Sequence, residues 1–244
     1  MRRLTTSLRL SILPRGAAVV AVAALAGCGV AAANSADPTV GTIRSGAGLS
    51  DGRIAHDAQL RLGDFPSGWV SSPRPLPLES KCTGLNGAKA AVRVRGDSPQ
   101  FSQESARIAY SAYSATYVYS DTNRATHWFG ELTSLDTRAC LGRFLRAGLI
   151  KNLDSQRVSV GPVRAGELPV APVGDQATAT RFIIRVSSRE LTVDANADLV
   201  FVRVGHGVLI FTLAGVGSPF DTALEARLVK TVANRLRADV GPAG

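Results

Sequence analysis

Three histidines and three cysteines are the side chains of this sequence best suited to metal or nucleophilic chemistry. None of His56, His127 and His206 has another histidine or a cysteine two to four positions away, so their spacing predicts no zinc site. The S-x-x-K pair of serine acyltransferases is also missing. The sequence therefore predicts a protein without metal, cofactor or catalytic activity. The alternative is an envelope hydrolase whose polar cluster assembles around His127 or His206 only in the folded chain.

Cys28 ends an apolar segment, where its thiol is suited to lipid attachment. Residues 1–15 carry four arginines and no acid, and residues 16–27 contain only Gly, Ala, Val and Leu. This apolar run is shorter than the roughly 20 residues that span a bilayer, so it is typical of an export signal. Leu25-Ala26-Gly27-Cys28 matches the bacterial lipobox, whose cysteine is acylated and becomes the first residue. The alternative is an ordinary signal peptide cleaved near Ala31–Ala33.

The sequence thus predicts a lipoprotein signal peptide over 1–27 and an acylated, palmitate-bearing Cys28. Its lipid chains would hold the mature protein on the extracytoplasmic side of the cell membrane. The two remaining cysteines, Cys82 and Cys140, then form a pair in a compartment that permits disulfides. We predict a structural disulfide between them, and the alternative is two unpaired thiols.

The charge of the chain argues against binding to nucleic acid. The formal net charge of +9 falls to +5 once the four signal arginines are removed. The remaining basic residues are scattered, without a Lys/Arg block, so we predict no nucleic-acid partner. The length suits one folded unit. Residues 28–55 are mostly small or polar and predict a flexible tether, which leaves 56–240 as the extracytoplasmic domain.

Aromatic residues provide the candidate binding surface. The segment Asp64–Trp69 places turn-forming residues between Phe65 and Trp69, which could plug the core edge or offer a stacking site for a sugar ring. Residues 106–119 alternate as in a strand, with a bulge expected near Ala112. Its tyrosines could face a ligand or form a half-buried sheet face with hydroxyls in water. The predicted surface consists of Trp69, Tyr110, Tyr113 and Tyr117.

Helices and strands alternate in a way that predicts an α+β fold. A helix opening at Asp121 or Thr122 and a second one capped by Asp136 precede several β-patterned segments. Asp194, Asn196 and Asp198 indicate a turn between two strands, and Gly205-His206-Gly207 indicates a hairpin between strands that are apolar on both faces. A final helix starts at Ser218. The predicted architecture is a single antiparallel sheet packed by helices.

Several of these features together carry a family resemblance. They are Leu25–Cys28, the Asp64–Trp69 turn, the Cys82/Cys140 pair, the strand before Ala125–Trp128, and the final arginine-rich helix. The combination resembles secreted actinobacterial lipoproteins with a sensor-like α+β domain. Extracellular sensor domains of mycobacterial receptor kinases and lipoproteins of Mog1p/PsbP-like fold have a similar layout. The resemblance covers residues 60–240 and implies ligand or partner binding at the envelope without a known catalytic residue.

Two non-catalytic functions remain open from the sequence. The first is a membrane-anchored binding or sensor module that holds a lipid, glycan or peptide in a cleft between helices and sheet. The second is an accessory protein that binds another envelope protein through an exposed apolar patch and has no small ligand.

Overall fold

The computed structural model describes residues 48–73, 81–105, 108–153, 158–189 and 191–240. The predicted signal peptide, Cys28 and residues 28–47 of the predicted tether lie outside the described residues. Side chains are described for all of the stated ranges except residues 48–50 and Asn152.

One antiparallel sheet forms the centre of the fold. Its hydrogen-bonded order is β1-β3-β4-β8-β7-β6-β5, and β2 pairs with β4 in line with β3. The strands are β1 (Val70–Ser72), β2 (Val94–Asp97), β3 (Gln100–Glu104), β4 (Ala109–Val118), β5 (Ser159–Leu168), β6 (Gln176–Ser187), β7 (Thr192–Val204) and β8 (Gly207–Val216). The predicted α+β class with an antiparallel sheet is confirmed.

Helices cover both faces of this sheet. The described helices are α1 (Gly48–Asp57), α2 (Thr83–Ala91), α3 (Thr122–Thr133), α4 (Leu135–Leu153) and α5 (Thr222–Val240). Buried residues of α1 and α5 belong to one apolar cluster, and those of α2, α3 and α4 belong to the cluster on the opposite face. Because both faces are covered, the central strands must be apolar on both sides. The predicted hairpin of β7 and β8, turning at Gly205 and His206, meets this requirement and is confirmed.

The folded part begins earlier than the sequence predicts. Residues 48–55, assigned to the tether, belong to α1, and Ile54 and Ala55 are buried in the core. A Cβ atom added at Gly96 of β2 would lie 2.1 Å from the carbonyl oxygen of Ala55. Helix α1 therefore packs directly on the sheet backbone. The absence of a side chain at Gly96 permits this close approach.

Helix starts follow side-chain caps, and two of them differ from the prediction. Asp121 caps α3 as expected, since its Oδ1 accepts the Arg124 N–H at 2.8 Å. Helix α4 is capped by Ser134, whose Oγ accepts the Thr137 N–H at 3.2 Å, so Asp136 is not the cap. Helix α5 begins three residues later than Ser218–Phe220 suggested, because Phe220 is inserted into the core and Asp221 caps the helix instead.

The predicted turn at Asp194–Asp198 is wrong. These residues lie inside β7, a continuous strand of 13 residues. The side chains of Asp194 and Asp198 project toward the α5 side and pair with Arg185 and Arg181 of β6. Partners on the neighbouring strand thus hold turn-favouring residues in an extended backbone.

The predicted disulfide is present and joins two helices. Cys82 precedes α2, Cys140 lies in α4, and their Cα atoms are 5.7 Å apart. Helix α2 itself was not predicted, because Gly84 and Gly87 interrupt its pattern. Both glycines are needed for close packing, since a Cβ at Gly84 would lie 2.9 Å from the Glu131 carbonyl oxygen and one at Gly87 would lie 2.7 Å from the Trp128 ring. Within the described residues, no helix has the length and apolar character to cross a membrane.

Candidate functional site

The four predicted aromatic residues do not form one surface. Strand β4 pairs with β8 without a register shift, so the bulge expected near Ala112 is absent. Successive side chains of a regular strand point to opposite faces. Tyr110 therefore lies on the α5 side, while Tyr113 and Tyr117 lie on the α2–α4 side. The prediction of a single surface is wrong for this reason.

Tyr113 and Tyr117 contact other protein groups. The hydroxyl of Tyr113 donates to Asp97, and Arg95 donates to the same hydroxyl at 3.3 Å. Tyr117 is 2 % exposed, and the Arg95 guanidinium lies 5.4 Å from its ring centroid. Tyr117 therefore offers little surface to a ligand, and the hydroxyl of the half-buried Tyr113 is already paired with Asp97 and Arg95.

Trp69 and Tyr110, by contrast, line the same groove. The Pro66–Gly68 turn, with Gly68 at φ +92°, directs Trp69 back toward the sheet. The Phe220 ring lies 5.9 Å from the Trp69 ring and 5.7 Å from the Tyr110 ring, measured between centroids. These three rings form the floor of a groove of about 600 Å³, which we call the aromatic groove.

Polar groups of both signs surround this aromatic floor. Gln103 of β3 contributes an amide, Asp221 a carboxylate and Arg227 a guanidinium. Asp221 uses Oδ1 to cap α5, accepting the Leu224 N–H at 2.7 Å. Asp221 and Arg227 are both exposed, and Tyr110 is half-buried. The groove therefore combines ring faces with hydrogen-bond donors and acceptors, without a net excess of charge.

A second groove lies on the other side of α5. Its walls are the β5–β6 connection and the first turns of α5, and its volume is about 620 Å³. We call it the apolar groove because most of its lining is aliphatic or proline: Leu168, Pro169, Val170, Ala171, Pro172, Val173, Val200, Ala226 and Val229. Charged side chains line it at Glu225, Arg227 and Lys230. This volume falls within the range of about 300–1,000 Å³ that is usual for small-molecule sites.

Glu225 connects the wall of the apolar groove to a buried ion pair. Arg181 Nε and Nη2 donate to the two oxygens of Asp198 at 2.7 and 2.6 Å, and Asp198 is fully buried. Glu225 is 8 % exposed, and its Oε2 has no hydrogen-bond partner among the described residues. Burial, then the charge of Asp198 and a hydrogen bond shared with it, raise the pKa of Glu225 to about 7.

The raised pKa of Glu225 gives a testable dependence of stability on pH. The folded protein holds a proton that the unfolded chain releases near pH 4.5, so stability falls as pH rises from about 4.5 through 7. Glu225→Gln removes this titration and keeps a donor for Asp198. At pH 8 we expect the variant to be more stable than the parent by about 1–2 kcal/mol, a figure reduced for solvent screening at the groove.

Urea unfolding of both proteins at pH 5 and pH 8 measures this difference. All other ionisable groups are the same in both proteins and cancel in the comparison. Glu131→Gln, at an exposed glutamate of α3, provides the matched control and should change nothing. A Glu225→Gln variant whose stability relative to the parent is the same at both pH values would contradict the assignment.

The first turns of α5 separate the two grooves by a low ridge. Ala223 lines the aromatic groove, Ala226 lines the apolar groove, and both are exposed. Residues three apart on a helix have Cβ atoms roughly 5–6 Å from each other. Arg227 lines both grooves. One ligand can therefore reach from one groove to the other across two alanine side chains.

The histidines are not brought together. His56 and His127 are exposed on α1 and α3, and His206 is in the β7–β8 turn. The described part of the chain holds no group of three His, Cys, Asp or Glu residues that could bind a metal ion. Contrary to the expectation that the sequence holds no G-x-S-x-G motif of a hydrolase, Gly48–Gly52 has this spacing. These residues lie within α1 rather than at a strand-to-helix turn, which is the geometry the motif requires.

No family model and no curated protein matches this chain. Solved structures that are similar to it include two mycobacterial proteins. The extracellular domain of PknH from Mycobacterium tuberculosis has 10% sequence identity and a TM-score of 0.42, covering 75% of this chain and 96% of that one. LpqN of the same organism, described as involved in cell envelope biogenesis, has 11% identity and a TM-score of 0.28, covering 70% and 76%. Neither similarity is high enough to place this chain in a family.

Proposed function

We propose that this chain is a lipid-anchored protein of the cell envelope that binds an amphiphilic ligand without catalysis. The ligand's hydrocarbon part occupies the apolar groove. The observation that carries the proposal is the apolar groove itself. Its volume is about 620 Å³, its lining is mainly aliphatic, and charged side chains lie directly beside that lining. A chain of methylene groups gains about 0.8 kcal/mol for each one removed from water.

The rim of the apolar groove favours an amphiphile over a purely apolar molecule. Arg227 and Lys230 are exposed at its edge, where they can meet a polar group in water. The loop wall contains Pro169 and Pro172, whose fixed φ angles lower the entropy cost of holding the groove open. The two cations thus favour a ligand with a polar group, and the two prolines favour a preformed groove.

The anchoring part of the proposal rests on the sequence. Export through the 1–27 segment and acylation of Cys28 would place the domain on the extracytoplasmic side of the membrane, next to a supply of amphiphiles. An accessory role without a small ligand predicts one exposed apolar patch instead. The large exposed apolar side chains of the described residues lie on several separate elements: Leu62, Val70, Leu135, Ile150 and Leu191. We therefore favour ligand binding.

Two amphiphiles with the same chain test the proposal: dodecyl maltoside and octaethylene glycol monododecyl ether, both below micelle-forming concentrations. Every described helix and strand lies between residues 48 and 240, so a soluble form of residues 34–244 retains the described fold. Titration calorimetry of this form should show saturable binding of at least one probe. Ala226→Phe, which fills the groove from an exposed helix position, should weaken that binding at least tenfold.

Asn234→Phe provides the matched control. It adds the same ring at an exposed position of the same helix and lines neither groove. Its affinity should equal that of the parent. Absence of saturable binding for both probes, or equal weakening by the two phenylalanine variants, would rule out the apolar groove as the site.

A further inference from the structure

The geometry points to a saccharide as the polar part of the ligand, seated in the aromatic groove while the hydrocarbon part occupies the apolar groove. This inference rests on the proposed function, because it takes the chain-binding site as given. It names the chemical class of the ligand as an amphiphile with a sugar head group. Three observations carry it: the mixed charges of the aromatic groove, its ring floor, and its position beside the apolar groove, with Arg227 bordering both.

The charges of the aromatic groove select a neutral head group. A strongly anionic group would be attracted by Arg227 and repelled by Asp221, and a cationic group would meet the reverse. Gln103 and the Tyr110 hydroxyl can both donate and accept, Arg227 can only donate, and ionised Asp221 can only accept. A neutral group with many hydroxyls can hydrogen-bond to all four of these side chains, because each hydroxyl can both donate and accept.

The floor of the aromatic groove favours a ring over an open polyol. Tyr110 is half-buried and meets the Phe220 ring edge-on at 70°, so part of its surface remains accessible to a ligand. The axial C–H groups of a pyranose form a flat apolar face, which removes aromatic surface from water when it stacks. Leu224 and Pro66 extend this apolar surface on either side. The same pocket thus provides an apolar face and a polar perimeter.

The ridge of α5 sets the distance between the two parts of the ligand. Ala223 lines the aromatic groove, Thr222 and Ala226 line the apolar groove, and Arg227 borders both. The separation of roughly 5–6 Å across this ridge is about the length of a glycosidic oxygen together with the first three carbons of an attached chain. A sugar joined directly to a hydrocarbon chain therefore matches the spacing, without a long linker.

The two probes named above separate this inference from the proposed function. They carry the same C12 chain and a neutral head, but only dodecyl maltoside has sugar rings and several hydroxyl donors, since the polyether has a single terminal hydroxyl. We expect the parent to bind dodecyl maltoside at least tenfold more tightly than the polyether. Gln103→Ala should reduce this preference to below threefold.

Arg227→Ala should also reduce the preference, whereas Lys230→Ala, which removes a cation lining the apolar groove alone, should leave it intact. Equal binding of both probes by the parent, with both weakened by Ala226→Phe, would overturn the saccharide head group and leave the proposed function standing. A preference for the maltoside that survives Gln103→Ala and Arg227→Ala would overturn the aromatic groove as the sugar site. Failure of both probes to bind would overturn the proposed function as well.

Discussion

Replacing both Cys82 and Cys140 by alanine is expected to lower the free energy of unfolding by about 4 kcal/mol. The two residues are separated by 58 positions, so the disulfide closes a long loop and removes much conformational freedom from the unfolded chain. The bond also holds the start of α2 against α4, and Cys82 is almost fully buried. Because small domains have total stabilities of roughly 5–15 kcal/mol, this loss would leave little margin.

Urea unfolding of the 34–244 form measures the effect, since this form contains only these two cysteines. The parent protein in excess reductant provides the control, because it loses the bond and keeps both sulfur atoms. Reduced parent and double variant should agree to within about 1 kcal/mol. A double variant that loses less than about 1 kcal/mol would show that the unfolded chain is already compact around these residues.

The sequence pattern was sufficient to predict those elements that depend on residues close together in the chain. Of the α3 residues at helical spacing, Ala125, Phe129 and Leu132 are buried and Trp128 is half-buried, and the two-residue turn at Gly205 fixes the β7–β8 hairpin. In both cases the sequence signal and the structural constraint lie within one element or one turn. The single antiparallel sheet followed from the number of such segments.

The main errors of prediction from the sequence concern features that depend on pairing between strands distant in the chain. Asp194, Asn196 and Asp198 favour a turn when considered alone, and their extended backbone depends on β6 arginines that precede them by 9 to 17 positions. The sequence also could not predict which face of the sheet each tyrosine lies on, because a one-residue change of register exchanges the two faces. Only the continuous pairing of β4 with β8 places Tyr110 opposite to Tyr113.

Two residues of the aromatic groove, Trp69 and Tyr110, were recognisable from the sequence. Trp69 was named because it follows a turn where a sugar ring could stack, and Tyr110 because it belongs to a tyrosine-containing strand. Gln103, Phe220 and Arg227 were not, because they join the groove through tertiary contacts. Glu225 gave no signal at all, since a glutamate in the first turn of a helix is ordinary helix chemistry. Its burial against Asp198 and Arg181 depends on how α5 lies across β7.

The Arg181–Asp198 pair is expected to show the other large effect. Arg181→Met should lower the free energy of unfolding by about 3–5 kcal/mol at pH 8, because it leaves the fully buried carboxylate of Asp198 without its cation. Glu225, next to the same carboxylate, adds to the repulsion once it ionises. The loss in free energy of unfolding should be smaller at pH 5, where Glu225 is protonated and no longer repels the carboxylate of Asp198.

Arg185→Met is the matched control, since it removes the same side chain from the same face of the same strand. Arg185 donates to Asp194 at 3.1 Å, but these side chains are 61 % and 37 % exposed, so solvent screens the pair. Removing it should cost no more than about 1 kcal/mol. Equal losses in the two variants would mean that water reaches Asp198 in solution. The packing of α5 over β7 would then be looser than the structure has it, and the apolar groove beside Glu225 would lose its fixed wall.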